Sequence, residues 1–249
     1  MPPFQWKRAL NRIATLLLCL LVPAGCVLAD SPIAPFKAEY ATLRNGHEIA
    51  RTTIEWKRNG DANWILRTTT QGTSSLAKIA GLDVAEESVL RWNGGRPETT
   101  RYDFRQDVAF KNKRRHGEFD WDSGEVHMVE GGSDARYGLV PFTIDRHALT
   151  IALAADLAGH ADTFNYKVAT KDAIEDVRYT PCGEVKLDVP AGSFLTRCLE
   201  RVRKKRTSTS WFAKIDNGWI PVQIEQVERK GDTITMRLVA TRSGMENGE

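Results

Sequence analysis

The side chains able to act as nucleophiles, acids or bases are scattered along this chain and form no catalytic motif. No Gly-x-Ser-x-Gly segment marks a serine nucleophile. Carboxylates adjoin at Glu86 and Glu87 and lie close together at Glu225 and Glu228. Adjacent strand residues point to opposite faces, so solvated sheet faces explain these pairs better than acid–base catalysis does. We predict no catalytic residues and favour a non-enzymatic protein; an enzyme of unrecognised type would need residues that meet only in the fold.

The five histidines also lack a metal-ligand pattern. None stands four residues from another, so the helical zinc-hydrolase spacing is absent, and we predict no metal and no cofactor. His147 follows Arg146 near the start of a predicted helix. It is either a polar group at the mouth of a cavity or an ordinary surface histidine, and the second interpretation is favoured.

Two clusters of basic residues are candidates for ligand contact. Such clusters can bind lipid headgroups or acidic polysaccharide. Charged hairpin tips that prevent edge pairing explain them more simply, and we favour that interpretation. The first cluster is Lys111, Lys113, Arg114 and Arg115, and the second is Arg201, Arg203, Lys204, Lys205 and Arg206.

Six tryptophans lie downstream of Ala29 and allow two interpretations. Lining a groove, they would stack on sugar rings or bury acyl chains. Packed at strand ends, they would fill the core, which is the commoner use of tryptophan and the one we favour. They are Trp56, Trp64, Trp92, Trp121, Trp211 and Trp219.

The cysteines downstream of Ala29 are Cys182 and Cys198. The segment between them reads as a strand, a tight turn near Ala191 and a second strand, which would place the two cysteines roughly opposite each other. We predict a disulfide, with two separate buried thiols as the alternative. No Cys-x-x-Cys or nearby histidine accompanies the pair, so a metal site is not expected.

Residues 1–29 have the pattern of an export signal. A basic start is followed by an apolar run from Ile13 to Val22 and by the small-x-small site Val27-Leu28-Ala29. We therefore predict a periplasmic protein whose residues 30–249 form a single β-rich domain. Ala24-Gly25-Cys26 matches the end of a lipobox, but Pro23 stands where leucine is usual. Lipid anchoring at Cys26 is the less favoured alternative.

Charge and hydropathy limit the partners of the exported chain. Removal of Lys7, Arg8 and Arg12 takes the 35 basic residues to 32, equal to the 32 acidic ones. A neutral chain gives no electrostatic reason to bind nucleic acid. No second apolar run is long enough to span a bilayer, so we predict no transmembrane span in the mature chain. The sequence predicts no oligomeric state.

Short alternating segments separated by turn residues predict a mainly β fold, namely a curved antiparallel sheet or half-open barrel packed on one central helix. Asn45-Gly46, for example, predicts a hairpin. The helix is predicted from Asp145 to Leu157, with Thr143 as N-cap and Gly159 as its end. Its broad apolar stripe predicts burial against the concave side of the sheet.

Four segments give the sequence a family resemblance. They are Pro35 to Tyr40, Leu187 to Phe194, Trp211 to Ala213 and Trp219 to Glu225. In this order they resemble the exported domain-of-unknown-function family 3108 of Gram-negative bacteria, over about Pro35 to Ala240. The resemblance implies an antiparallel β fold, similar in outline to the half-open barrels of periplasmic lipoprotein carriers. It implies no catalytic residue, and a likeness of fold does not fix function.

The export signal, the strand pattern and the resemblance together predict a non-enzymatic envelope protein with an apolar cavity on its concave side. The expected ligand is a lipid, an acyl chain or the lipidated end of another envelope component. The alternative is a carbohydrate- or protein-binding module that uses exposed aromatic and basic residues. The candidate lining residues are Trp92, Leu149, Leu153, Leu157 and Trp211.

Overall fold

A computed structural model describes residues 31–244 except positions 61, 110, 204, 205, 217 and 230. The predicted signal segment and Cys26 lie outside the described residues, as do Lys204 and Lys205 of the second basic cluster. No helix within the described ranges is long and apolar enough to cross a membrane.

The described chain is mainly β, with fifteen strands and two short helices. Phe36–Tyr40 and Phe164–Tyr166, for example, alternate buried apolar side chains with more exposed polar ones, the pattern of a half-buried strand. The hairpin turns between them carry residues that tolerate positive φ, such as Asn45 at 50° and Gly46 at 83°, as predicted for that turn. In chain order the elements are β1 (Phe36–Arg44), β2 (His47–Asn59), β3 (Asn63–Gly72), α1 (Ser75–Ile79), β4 (Asp83–Asn93), β5 (Arg96–Val108), β6 (Lys111–Asp120), β7 (Glu125–Glu130), β8 (Ser133–Gly138), β9 (Thr143–Ile144), α2 (Leu149–Ala158), β10 (Phe164–Ala169), β11 (Ile174–Val189), β12 (Gly192–Arg203), β13 (Arg206–Ile215), β14 (Gly218–Val227) and β15 (Thr233–Ser243).

All these strands belong to one open sheet in the order β8-β7-β6-β5-β4-β3-β2-β1-β15-β14-β13-β12-β11-β10-β9. Two meanders, β1 to β8 and β10 to β15, join where the first and last strands pair. The pairing is antiparallel except between β9 and β10, which run parallel. The predicted class, a mainly β curved antiparallel sheet, is confirmed.

The sheet curls so strongly that its two ends come together. At one end of the strand order, β9 packs near β5. Across the same seam, the Tyr137 hydroxyl of β8 donates a hydrogen bond of 2.6 Å to the carbonyl of Thr170, which follows β10. Bulges such as the register shifts at Glu39/Tyr40 and Val89/Leu90 add local twist. The concave side is therefore enclosed although the hydrogen-bonded order stays open.

The main core lies on this concave side and is anchored by tryptophans. Trp56 and Trp64 stack with ring centroids 5.0 Å apart, and Trp92 meets Trp56 edge-on at 6.5 Å. All three are buried, and Trp56 donates from Nε1 to the carbonyl of Ile33. Core packing, the favoured interpretation of the tryptophans, is confirmed for these three.

Helix α2 runs from Leu149 to Ala158, and seven of its ten residues are buried in the main core. Its predicted start at Asp145 is wrong by one turn. Thr143 belongs to β9 instead of capping the helix. The residue at the cap position is Ala148, which makes no side-chain cap bond, whereas Gly159 occupies the C-cap as predicted.

The predicted disulfide is confirmed, and a bulge positions it. Val189 pairs with Gly192 at the tight turn, so β11 and β12 form one long hairpin. A register shift between Pro181 and Gly183 makes Cys182 the extra residue of β11, and Gly183 takes a φ of +99° that suits glycine. The Cα atoms of Cys182 and Cys198 lie 5.0 Å apart.

Reducing this disulfide is expected to lower the free energy of unfolding by about 3 kcal/mol, because the bond closes a loop with a sequence separation of 16 residues. Urea unfolding with and without dithiothreitol measures the loss. The double variant Cys182→Ser/Cys198→Ser is the control, since its midpoint should not respond to reductant. An unchanged midpoint in the reduced wild type would contradict the prediction.

Candidate functional site

A cavity of about 510 Å³ opens on the concave side of the sheet, beside α2. One wall is a cross-strand row of Ile54, Thr68 and Glu86 on β2, β3 and β4. Leu149 and Leu153 of α2 form the floor. The facing wall comes from β12 to β15, so the cavity is built by both meanders and by the helix between them.

The wall from β12 to β15 changes from apolar to charged in successive rows. Directly paired residues of neighbouring strands share a face, so the register defines each row. The deepest row consists of Leu199, Ser210, Ile224 and Met236. The next row consists of Arg201, Ser208 and Gln226. In the outermost row, Arg203 lies opposite Arg206. The cavity therefore has an apolar depth and a strongly basic mouth.

Most of the charges at the mouth are ion-paired. Arg206 contacts Glu228 at 2.8 Å, and Arg203 contacts Glu175 at 2.6 Å. A second cavity of about 380 Å³ adjoins the first, because Arg146, Arg201 and Arg203 line both. It follows the seam between the ends of the sheet, where Glu130 and Glu175 form part of its wall. The mouth thus continues into a polar groove along the seam.

His147 lies in the wall of the cavity and is held at both ring nitrogens. Its Nε2 lies 2.8 Å from Oγ1 of Thr68, and its Nδ1 lies 2.9 Å from Oγ of Ser88. The favoured interpretation, an ordinary surface histidine, is wrong. His147 is half-buried in the cavity wall, whereas the alternative placed it at the mouth.

Asp145 is a buried carboxylate that ties β4 and β5 to the start of α2. It accepts hydrogen bonds from the hydroxyls of Ser88 and Thr99, at 2.9 and 2.8 Å. It also accepts from the backbone N–H groups of His147 and Ala148, at 2.8 and 3.1 Å. Burial raises the pKa of Asp145, although the charge of His147 and these hydrogen bonds oppose the rise.

Glu86 forms a second, partly buried network with Arg146 and Tyr102. The Tyr102 hydroxyl donates to Oε1 of Glu86 at 2.5 Å, and a guanidinium nitrogen of Arg146 lies 3.0 Å from the same oxygen. Burial acts to raise the pKa of Glu86. The charges of His147 and Arg146, with hydrogen bonds from Tyr102 and Arg146, outweigh it and hold the pKa below its usual range.

The prediction that Glu86 and Glu87 point to opposite faces of the sheet is confirmed. Glu87 turns away to Arg67 and Arg101, at 2.6 and 2.8 Å. The solvated-face interpretation is nevertheless wrong for Glu86, whose side chain is only 17% exposed. No sequence signal placed Arg146 and Tyr102 beside it.

Ser88, His147 and Asp145 lie together but are not arranged for nucleophilic catalysis. Ser88 is fully buried, and its hydroxyl donates a hydrogen bond to Asp145. The contact between Ser88 and Nδ1 of His147 is then a hydrogen bond donated by the imidazole, so His147 does not act as a base towards Ser88. The arrangement fixes the orientation of the imidazole in the cavity wall.

A further cavity, of about 590 Å³, is lined by residues of β3 to β7 and of the turn after β7. Its walls carry Arg67 and Arg114, which are already paired with Glu87 and Asp107. Arg115, also in its wall, is paired with Glu130. Among the described residues, no group of three histidine, cysteine or carboxylate side chains is placed to hold a metal ion.

The structure brings together only some of the predicted lining residues. Leu149 and Leu153 line the 510 Å³ cavity. Leu157 and Trp92 are buried in the core and do not line it. Trp211 is half-buried, lies opposite Cys198 and does not line it either.

Sequence analysis missed the far wall of the cavity. Ile224 and Met236 were not singled out, and Arg201, Arg203 and Arg206 were interpreted as hairpin charges. β12 and β13 are interior strands, so protection of a sheet edge does not explain these arginines. The signal was the alternation of Leu199, Arg201 and Arg203, which puts all three on one face.

Fold and site define a mainly β protein whose single curled sheet encloses a cavity with a basic mouth. The chain belongs to the family described as protein of unknown function (DUF3108), whose model matches residues 35–239. The structure is similar to the crystal structure of a β-barrel-like protein, of domain of unknown function DUF1849, from Brucella abortus. The TM-score is 0.51 at 10% identity, over 86% of this chain and 100% of that one, which shows likeness of fold alone. Comparison with curated proteins finds no match.

Replacing Asp145 by asparagine is expected to destabilise the protein by about 1–3 kcal/mol, because an amide group would face donors that the carboxylate now satisfies. Urea unfolding at neutral pH measures the change. The matched control is Asp162→Asn, at an exposed position, which should stay within about 0.5 kcal/mol of wild type. Equal effects of the two substitutions would contradict the role given to Asp145.

Glu86→Gln is expected to destabilise the protein by about 1 kcal/mol at neutral pH, because it removes a partly exposed ion pair. The pKa of Glu86 is lower in the folded protein than in the unfolded chain, so the ionised carboxylate stabilises the fold at any pH above the unfolded-state pKa. This stabilisation is lost as the pH falls through the folded-state pKa. The cost of the substitution should therefore shrink from about pH 5 downwards.

Urea midpoints across the acid range provide the measurement. Glu184→Gln is the control, since that side chain is 62% exposed, and its profile should follow wild type. A cost of Glu86→Gln that stays constant with pH would rule out the proposed charge effect.

Proposed function

We propose that this protein binds a hydrophobic or lipid-like ligand in the cavity beside α2 and acts without catalysing a reaction. The observation that carries the proposal is the apolar depth of a cavity that opens to solvent. Ile54, Leu149, Leu153, Ile224 and Met236 meet there. The volume of about 510 Å³ lies in the range of about 300–1,000 Å³ typical of small-molecule sites.

The proposed architecture is a half-open barrel with α2 as its central element. Burial of seven residues of α2 and the meeting of β5 with β9 support it. In this arrangement the helix keeps the two walls apart, because its side chains fill the space that the sheet would otherwise collapse into. The outline is that of periplasmic lipoprotein carriers, an analogy at the level of fold.

The proposed location is the periplasm. The disulfide supports an oxidising compartment. The signal pattern of residues 1–29 supports export. Lipid anchoring at Cys26 is the alternative form of the same proposal.

A carbohydrate- or protein-binding module ranks second. That function needs aromatic side chains exposed on a face. Trp56, Trp64 and Trp92 are buried, and the three other tryptophans of the described chain are half-buried. The basic residues it would use instead surround an apolar cavity, which favours an amphiphilic ligand.

Native mass spectrometry of protein purified from its own periplasm, followed by lipid extraction, tests the proposal. A stoichiometric adduct of lipid mass is the expected result. A clean apo mass together with no binding of a fluorescent fatty acid would overturn it.

Ile224→Trp is expected to weaken binding of the fluorescent fatty acid roughly tenfold or more, equivalent to about 1.4 kcal/mol, because the indole would occupy the apolar depth. Leu195→Trp is the control, since Leu195 is 68% exposed and does not line the cavity. It should bind like wild type. Equal binding by both variants would place the ligand elsewhere.

A further inference from the structure

Arginines outnumber carboxylates around the cavity, and one arginine is left without a carboxylate partner. Four arginines line it, namely Arg146, Arg201, Arg203 and Arg206, against two carboxylates, Glu86 and Glu228. Glu175 lies in the adjoining groove and pairs with Arg203. Arg146 and Arg206 pair with the two carboxylates of the cavity wall.

Arg201 has no carboxylate within ion-pairing distance among the residues that the structure describes. Arg201 instead shares the cavity wall with Tyr179 and lies opposite Ser208 in the strand register. Burial raises the pKa of Tyr179, and hydrogen bonds from Ser208 and Arg201, with the charge of Arg201, oppose the rise. No carboxylate of the described chain therefore offsets the positive charge of this half-buried guanidinium at the cavity wall.

Arg201 also stands at the boundary between the apolar depth and the mouth. On one face of β12, Leu199 is buried, Arg201 is half-buried and Arg203 is exposed. Arg201 lines both the 510 Å³ cavity and the groove along the seam. A charged group bound to it would therefore sit where solvent meets the apolar floor.

We propose that the ligand is an amphiphile with an anionic headgroup, a carboxylate or a phosphate, which Arg201 binds while the apolar chain lies along Leu149, Leu153, Ile224 and Met236. This inference rests on the function proposed above and names the ligand class for the same cavity. Arginine suits the task because its planar fork matches the oxygens of both headgroups. An uncharged headgroup would leave the partly desolvated guanidinium without a counter-ion.

The test compares three ligands of equal chain length, namely dodecanoate, dodecyl phosphate and dodecanol. Their binding to delipidated protein, without the predicted signal segment, is measured by calorimetry. Wild type should bind the two anions roughly tenfold to a hundredfold more tightly than the alcohol. Arg201→Gln should remove that preference and leave dodecanol binding within about twofold, because the apolar floor is untouched. The control is Arg136→Gln, which removes an exposed arginine that does not line the cavity and should behave like wild type.

The outcomes separate this inference from the function on which it rests. Equal binding of all three ligands by wild type would overturn the anionic headgroup and leave a lipid-like ligand standing. Failure of all three to bind would overturn both. Inorganic phosphate or acetate bound as tightly as the chain-bearing ligands would show a simple anion site and overturn the amphiphile. The comparison of ligands on wild type decides the headgroup class even if Arg201→Gln does not fold.

Discussion

The buried carboxylate of Asp145 is the interaction on which the arrangement of the cavity depends. It joins Ser88 of β4 and Thr99 of β5 to the backbone that enters α2. Because a buried charge is costly unless its oxygens are satisfied, only a geometry that supplies all these donors is stable. The helix is thereby fixed across the concave side, and β9, which immediately precedes Asp145, is held near β5 where the ends of the sheet meet.

The same constraint explains why polar groups gather at one end of α2. His147 and Arg146 follow Asp145 directly, so fixing Asp145 places both at the cavity wall. Each then needs partners, which β3, β4 and β5 supply through Thr68, Glu86 and Tyr102. The cavity is polar on this side because polar contacts hold the start of α2 in place. The basic residues of β12 and β13 do not hold the helix.

Sequence reasoning succeeded where the relevant contacts are local. Period-two alternation identified the strands, and turn residues identified the hairpins, including the one that brings Cys182 near Cys198. It failed for the helix start, because Asp145 accepts from the N–H of Ala148 and delays the helix, a competition that composition does not reveal. It found half of the cavity through the apolar stripe of α2. The other half needed the register that pairs Ser210 with Ile224 and Ile224 with Met236, which tertiary structure sets.

Different residues of the same strands build the fold and would bind the proposed ligand. A structure with 10% identity and a TM-score of 0.51 shares the curled sheet, so very different sequences can build it. What the strand pattern does not require is a charge gradient along one face of β12, from buried Leu199 through Arg201 to exposed Arg203. Arg201 makes no ion pair among the described residues, so the fold does not account for its charge, and the proposed ligand preference rests on it.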